Sequence, residues 1–350
     1  MYILIAILIF GILIFVHELG HFLTAKAMDV QVNEFAICMG PAIVKKQKGE
    51  TLYSLRCIPI GGYRAMEGED EASENPRAFT SKPWYKRLPI LAAGSAMNFL
   101  AGLLILVILY SCSAAVVTPK IIGFFDGGGL EQAGLQAEDE LYRIDGRRVF
   151  LHSDVGMLLA RNKTGIYDLT VKRDGKLVEL QDFELKQKLL TVDGVEQYKY
   201  GIYFGSDEMT VGTVLRTTWK TAMDFTRLVW MGLEDLITGF ASVDDMSGPV
   251  GIVSTIAETG RESESVSEGV MNVVYLGAFI AINLAVMNLL PIPALDGGRI
   301  FLLLVGAAFT ALTKKKIPPK YEGYIHAAGM VLLLAFMAFV TFKDIWKLIF

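Results

Sequence analysis

Long apolar runs constrain this sequence more than any other feature. Residues 1–16 carry almost no polar side chain, and this first run continues to residue 27 through the letters HELGHFLTAKA. Further apolar runs lie at residues 88–112, 271–290 and 324–340. Each run is long enough to cross about 30 Å of hydrocarbon as a helix. We therefore expect about four transmembrane helices, and a shorter apolar piece at residues 300–312 leaves that count open.

The composition agrees with a membrane protein and excludes two other classes. Apolar residues make up 53% of the chain and charged residues 20%, whereas an average soluble domain has about 25% charged residues. The net charge is −4 and no basic tract dominates, so we expect neither disorder nor nucleic-acid binding. The three cysteines, Cys38, Cys57 and Cys112, are odd in number and lack metal-type spacing, which argues against a disulfide framework.

The Lys and Arg residues of the short loops predict an orientation. The loop between the first two runs is rich in both, and Lys314, Lys315, Lys316 and Lys320 follow the third run. Because such loops stay in the cytoplasm, both termini and the insert at residues 113–267 are expected to face the outside.

The insert divides into two parts. Residues 113–206 combine short strand-like runs with one helix-like stretch at 153–162, and Asp174-Gly175 is a typical hairpin turn. Apolar residues then recur at helical spacing from Leu215 to Phe240. That spacing fits a helix at the membrane interface and equally an amphipathic helix packed on its own protein.

The letters HELGH interrupt the first run with ionisable side chains. His17 and His21 are four residues apart, so a helix places both imidazoles on one face, where they can bind one metal ion. A bound zinc ion lowers the pKa of its water towards about 7, and Glu18 is placed to act as general base. Ionisable residues cost at least about 2.5 kcal/mol each in a spanning helix, so they indicate function.

A catalytic zinc ion usually has three protein ligands. Asp296 is the only acidic residue between Glu268 and Glu322, and it follows two prolines that break the third run. Asp296 is therefore the expected third ligand. We expect the glycines at 297 and 298 to accommodate unusual dihedral angles there.

The two motifs together, H-E-x-G-H and N-x-x-P-x-P-x-L-D-G-G, resemble the signature of the site-2 protease family of intramembrane zinc metalloproteases. The letters GGGLEQAGLQAEDELYRIDGRRV resemble a bacterial PDZ domain, which points to the RseP-like branch with a single PDZ domain. The resemblance implies a polytopic α-helical membrane protein with an inserted mainly-β PDZ domain, α+β overall. Its expected parts are 1–112, the PDZ domain 113–206, the interfacial region 207–267 and the last spans at 268–350.

The resemblance also assigns roles to residues. His17, His21 and Asp296 correspond to the zinc ligands, and Glu18 to the catalytic base. Asn288 corresponds to a residue that holds the substrate or supports the transition state, although an interhelical hydrogen bond would also explain it.

Further assignments concern residues that bind substrate or peptide. Gly94 and Asn98 match a G-x-x-x-N-F element that packs or contacts substrate. Ser54 to Met66, with its Gly61-Gly62 kink, resembles a re-entrant hairpin whose free edge binds a substrate strand, unless it is an ordinary cytoplasmic loop. Ile121 to Phe124 would be the peptide-binding edge of the PDZ domain, unless that domain is only a spacer.

The function implied by the resemblance is zinc-dependent cleavage of single-span membrane proteins, such as anti-sigma factors or remnant signal peptides, in the bacterial plasma membrane. The expected partners are these substrates, the lipid bilayer, and a peptide or C-terminus at the PDZ domain; no nucleic acid is expected. The alternative is a catalytically inactive, membrane-anchored PDZ adaptor or chaperone.

Overall fold

The fold is that of a computed structural model, which describes residues 1–69, 73–125, 130–131, 133–192, 195–242, 246–315 and 319–349. The chain divides into two compact units. Residues 1–106 and 225–350 form the first unit, and residues 107–224 form the second.

Helices and strands are both abundant in the described residues. The helices are α1 (Tyr2–Ala27), α2 (Trp84–Ser111), α3 (His152–Arg161), α4 (Val211–Thr238), α5 (Pro249–Glu262), α6 (Val266–Asn288), α7 (Asp296–Thr313) and α8 (Pro319–Ile349). The strands are β1 (Val32–Lys48), β2 (Thr51–Met66), β3 (Ala115–Phe124), β4 (Glu140–Ile144), β5 (Arg147–Arg148), β6 (Ile166–Arg173), β7 (Lys176–Glu184), β8 (Lys188–Val192), β9 (Val195–Lys199) and β10 (Ile202–Glu208).

Five helices in the described part are long and apolar enough to cross a membrane, judged by length and composition alone. They are α1, α2, α6, α7 and the Gly323–Lys347 part of α8. Four of them match the apolar runs of the sequence. The fifth is α7, which contains the piece at 300–312 and has 18 residues, a length of about 27 Å.

The break between α6 and α7 lies where the prolines predict it. Helix α6 ends at Asn288 and α7 begins at Asp296. Between them Ala294 has a φ of +78°, a conformation that costs free energy for a residue with a side chain. The backbone N–H of Ala294 donates a hydrogen bond of 3.2 Å to His326 Nδ1 on α8, which helps to hold this loop.

The two glycines after Asp296 are needed for a different reason from the one expected. Neither Gly297 nor Gly298 has a positive φ angle. A Cβ on Gly297 would lie 2.3 Å from the Leu289 carbonyl oxygen, and one on Gly298 would lie 2.3 Å from the Ile292 oxygen. The glycines thus permit close backbone contact between the start of α7 and the loop before it.

Strands β1 and β2 form a bent antiparallel hairpin that is longer than the predicted segment 54–66. Residues 34–37 of β1 pair with 62–65 of β2 on one side and with 52–55 on the other. Positive φ angles at Cys38, Gly40 and Gly61 coincide with the bends. Residues 62–66 therefore form an outer segment of this sheet, and no further strand pairs with it in the described part of the chain.

A buried cluster joins α1, α2, α7 and the hairpin. Phe22 of α1 packs against Phe35 of β1, with ring centroids 4.7 Å apart. Ile90, Leu91 and Leu303 belong to the same cluster. Burial of these side chains fixes the hairpin against the helices that carry the two motifs.

The second unit contains a sheet with the strand order β10-β3-β4-β6-β7. The predicted helix is present as α3, and the predicted hairpin turn at Asp174-Gly175 joins β6 to β7, with Arg173 opposite Lys176. The assignment of Ile121 to Phe124 as an edge strand is wrong. These residues belong to β3, which pairs with β10 on one side and with β4 on the other.

Helix α4 confirms the predicted helical spacing near residues 215–240. Five large apolar side chains remain exposed on it: Val211, Leu215, Trp219, Trp230 and Ile237. Their spacing places them on one helix face. An exposed apolar stripe of this kind favours the interfacial interpretation over complete burial against the protein.

Candidate metal centre

Three side chains from the two sequence motifs meet in the first unit. The Nε2 atoms of His17 and His21 are 3.1 Å apart. Asp296 Oδ2 lies 3.3 Å from the first and 3.2 Å from the second. Within the described ranges, no other group of His, Cys, Asp or Glu side chains is arranged closely enough to share a metal ion.

These distances suit zinc. A tetrahedral zinc ion with ligand bonds of about 2.0–2.1 Å separates its ligand atoms by about 3.3 Å. Two imidazole nitrogens and one carboxylate oxygen are a usual donor set for catalytic zinc, and a fourth position remains for water or substrate. His21 is fully buried, and the side chains of His17 and Asp296 are 13% and 14% exposed, so solvent can reach one side of the group.

Helix α2 orients His21. Its Nδ1 lies 2.7 Å from the carbonyl oxygen of Ile90. Because that oxygen can only accept a hydrogen bond, Nδ1 carries the ring proton and is the donor. The Nε2 lone pair then faces Asp296 and His17, which is the tautomer that a metal ligand requires.

Asn98 performs the corresponding task for His17. Its Nδ2 lies 3.4 Å from His17 Nδ1, while its buried Oδ1 has no hydrogen-bond partner among the described residues. Exchanging the two ends of this amide, which have nearly the same shape, places Oδ1 opposite an Nδ1–H donor. That orientation satisfies the buried oxygen and leaves His17 Nε2 free to bind metal. The geometry therefore favours orientation of His17 as the role of Asn98, whereas the sequence predicts packing or substrate contact.

Gly94 of α2 lies directly against both imidazoles. A Cβ at this position would be 2.2 Å from His21 Nε2 and 2.5 Å from His17 Cε1. The helices also approach closely at Gly20, where a Cβ would be 2.5 Å from the Ala93 carbonyl oxygen. Small residues thus let the backbone of α2 form one wall of the metal centre.

Glu18 follows His17 in the sequence but is not part of the group of three candidate ligands. Its Oε2 accepts a hydrogen bond of 2.7 Å from Nη1 of Arg64 on β2. A Cβ on Gly62 would be 3.0 Å from Glu18 Cγ. The glycine of the hairpin edge therefore touches the side chain of the expected general base.

The remaining predicted residues are less closely connected to the metal centre. Asn288 is the half-buried last residue of α6, and in the described residues no hydrogen bond joins its side chain to the three ligands. Gly61 lies at the bend of β2 and packs against Met39 rather than Glu18. His326 accepts a hydrogen bond from the backbone N–H of Ala294, which lies within the second motif.

Sequence reasoning missed three charged residues around Glu18. They are Arg64, Glu69 and Arg299. Arg64 belongs to the Lys- and Arg-rich loop between the first two apolar runs, and its place two residues after the Gly61-Gly62 pair is a usable signal. Arg299 lies one helical turn after Asp296, so its proximity to the ligand could have been read from spacing.

Comparison with known proteins agrees with this geometry. The sequence profile described as Peptidase family M50 matches residues 5–336. A protein of Clostridium acetobutylicum named as a zinc metalloprotease is 37% identical over 348 residues, covering 98% of this chain and 97% of the relative. The regulator of sigma-W protease RasP of Bacillus subtilis is 27% identical, covering 98% of this chain and 97% of RasP. The chain belongs to peptidase family M50, the site-2 proteases, and is a zinc metalloprotease.

Proposed function

We propose that this chain hydrolyses a peptide bond within the membrane-spanning segment of single-span proteins, with His17, His21 and Asp296 as zinc ligands and Glu18 as general base. The observation that carries the proposal is the ligand group itself. Two helices that are apolar enough to span a membrane, α1 and α7, bring two imidazoles and one carboxylate together beside a glutamate that binds none of them.

Each side chain of the site has a separate role in the proposed reaction. A zinc ion held by these three side chains would supply Lewis acidity to polarise the scissile carbonyl and to acidify a water molecule. Glu18 accepts a proton from the water whose oxygen adds to the carbonyl carbon, and returns it to the leaving nitrogen as the C–N bond breaks. Ile90 and Asn98 hold the ligand imidazoles in the required tautomer. Asn288, at the end of α6, is proposed to hold the substrate backbone or to support the developing negative charge.

A substrate helix must be unwound before cleavage, because its carbonyl groups are held in hydrogen bonds within the helix. Residues 62–66 offer an outer strand segment for an extended substrate to join. The segment begins at Gly62, which touches Glu18. Strand addition there would hold the scissile bond in extended form close to the base and the ligands. We place Gly61 and Gly62 in this role as the bend and the contact point.

The orientation of the protein follows from its lysines. If α7 crossed the membrane completely, the lysines at 314–320 would lie on the opposite side from the hairpin loop, against the rule for positive residues. We therefore propose that α7 is embedded from the cytoplasmic side of a bacterial plasma membrane. Four crossings then place both termini and the second unit outside.

A peptide partner for the second unit is proposed at β10. This strand is the outer strand of its sheet. Its Phe204 contacts His152 of α3, with ring centroids 4.7 Å apart. Burial lowers the pKa of His152, which favours the neutral ring that suits an apolar contact.

A peptide that joins β10 should protect the backbone amides of β10 from hydrogen exchange and leave the amides of β3 unchanged. Protection confined to other strands would contradict this site.

The cleavage proposal is tested with the full chain in liposomes and a purified single-span substrate with a soluble tag at each end. We expect zinc-dependent cleavage inside the apolar segment, identified by mass spectrometry of the products. A chelator should stop the reaction and added zinc should restore it. Anti-sigma factors and remnant signal peptides are the two substrate classes to compare. Binding of substrate by the zinc-loaded protein without cleavage would favour the adaptor alternative and overturn the proposal.

A further inference from the structure

Charged side chains next to the metal centre form a continuous chain. Arg64 Nη1 donates to Glu18 Oε2 at 2.7 Å, and Arg64 Nη2 lies 3.5 Å from Glu69 Oε1. Arg299 Nη1 also donates to Glu69 Oε1. The side chains of Arg64 and Glu69 are 10% and 9% exposed, and that of Glu18 is 16% exposed. Two positive and two negative groups therefore pair with each other, and all but Arg299, which is 31% exposed, have little contact with solvent.

Because Arg64, Glu69 and Glu18 have little contact with solvent, their charged groups have few favourable orientations. A charge removed from water needs a partner in good geometry, because the protein interior solvates it poorly. A charge-assisted hydrogen bond of 2.7 Å is among the stronger polar contacts available to Glu18. The carboxylate is therefore held in the direction of Arg64 rather than free to sample other rotamers.

The chain of charges connects three elements that the reaction needs. Glu18 lies on α1, and Arg64 lies on the outer segment of β2 that we propose as the substrate edge. Arg299 lies on α7, one turn after Asp296 and on the same side of that helix. One guanidinium group, that of Arg64, thus connects the hairpin edge to the proposed base.

We propose that Arg64 is a positioning residue that aims the carboxylate of Glu18, and that it couples this aim to the hairpin edge. The inference rests on the proposed cleavage function for its kinetic consequence. Displacement of a catalytic group by about 1 Å costs about 10²-fold in rate. Loss of Arg64 should therefore lower kcat and leave substrate binding largely unchanged.

A second arginine in the same unit provides a matched control. Arg77 also connects two carboxylates, Asp29 at 2.8 Å and Glu50 at 2.5 Å. It contacts neither Glu18 nor a metal ligand. Arg64→Ala and Arg77→Ala therefore remove the same group from a bridge between two carboxylates, the first 10% and the second 38% exposed, and only the first removes the contact with the base.

The experiment measures kcat, KM and zinc content of the full-length variants in liposomes. For Arg64→Ala we expect kcat to fall by about 10²-fold with KM within about threefold of wild type, and with zinc retained. Arg77→Ala should keep the wild-type kcat. Added guanidinium should restore part of the turnover of Arg64→Ala only, and Arg64→Lys, which keeps one donor group, should have intermediate activity.

Several results would overturn the inference. An unchanged kcat in Arg64→Ala would do so, and so would a loss that neither guanidinium nor Arg64→Lys restores. If the wild-type chain itself fails to cleave, the proposed function fails, and the contact is judged separately by thermal unfolding. There, Arg64→Ala and Glu18→Ala, each of which removes the contact, should lower Tm non-additively when combined; additive losses would show that the two side chains are not coupled.

Discussion

Glu18→Gln is expected to lower turnover by about 10²–10⁴-fold while zinc stays bound, because general-base catalysis contributes that much. Glutamine has nearly the shape of glutamate and can still accept a hydrogen bond from Arg64, but it cannot take a proton from water. Glu18 is not among the three ligand side chains. Zinc content of the purified variant, measured by atomic absorption, should therefore match that of the wild type.

The matched control is Asp296→Ala, which removes a ligand. Its Oδ2 lies 3.2 Å from His21 Nε2 within the ligand group, so we expect this variant to lose both zinc and turnover. The two variants thus separate the base from the ligands. Wild-type turnover in Glu18→Gln would exclude Glu18 as the base. Wild-type zinc content in Asp296→Ala would exclude Asp296 as a ligand.

The ligand set could be predicted from sequence because most of it is local. His17 and His21 share a helix face by spacing alone, whatever the rest of the chain does. Asp296 lies far away in sequence, and its assignment depended on its isolation in an apolar stretch. A charge in such a stretch needs a partner, and the paired histidines are where the structure provides it.

Strand pairing and close packing could not be predicted in this way. The partner of Ile121 in β10 is Phe204, and such a long-range pairing leaves no periodic signal at either strand. The ion pair between Arg64 and Glu18 likewise joins residues on different elements. In addition, Lys and Arg residues in this loop are already explained by the enrichment of positive residues in cytoplasmic loops. The sequence places Gly94 in a motif, but only the three-dimensional structure shows which atoms a side chain at this position would meet.

Gly94→Ala should destroy the metal centre, although it adds a single methyl group. The new Cβ would lie 2.2 Å from His21 Nε2 and 2.5 Å from His17 Cε1, far inside ordinary contact distance. His21 cannot turn away easily, because it is fully buried and its Nδ1 is bound to the Ile90 carbonyl oxygen at 2.7 Å. Loss of ligand orientation lowers metal affinity by about 10–100-fold even when the ligands remain. Here both imidazoles are displaced, so we expect a loss of at least about 100-fold.

The matched control is Gly232→Ala on α4, another helical glycine of the first unit, where a Cβ would meet no atom within 4 Å. Alanine stabilises a helix interior relative to glycine by about 0.5–1 kcal/mol, so this variant should keep its zinc and its turnover. Zinc titration against a competing chelator measures both variants. Because the new methyl group meets the two imidazoles, we expect the Gly94→Ala defect to be confined to metal binding, with α2 still helical by circular dichroism. Wild-type zinc affinity in Gly94→Ala would mean that α1 and α2 can move apart without loss of the ligand geometry. In that case the wall formed by α2 would not be what holds His17 and His21 in place.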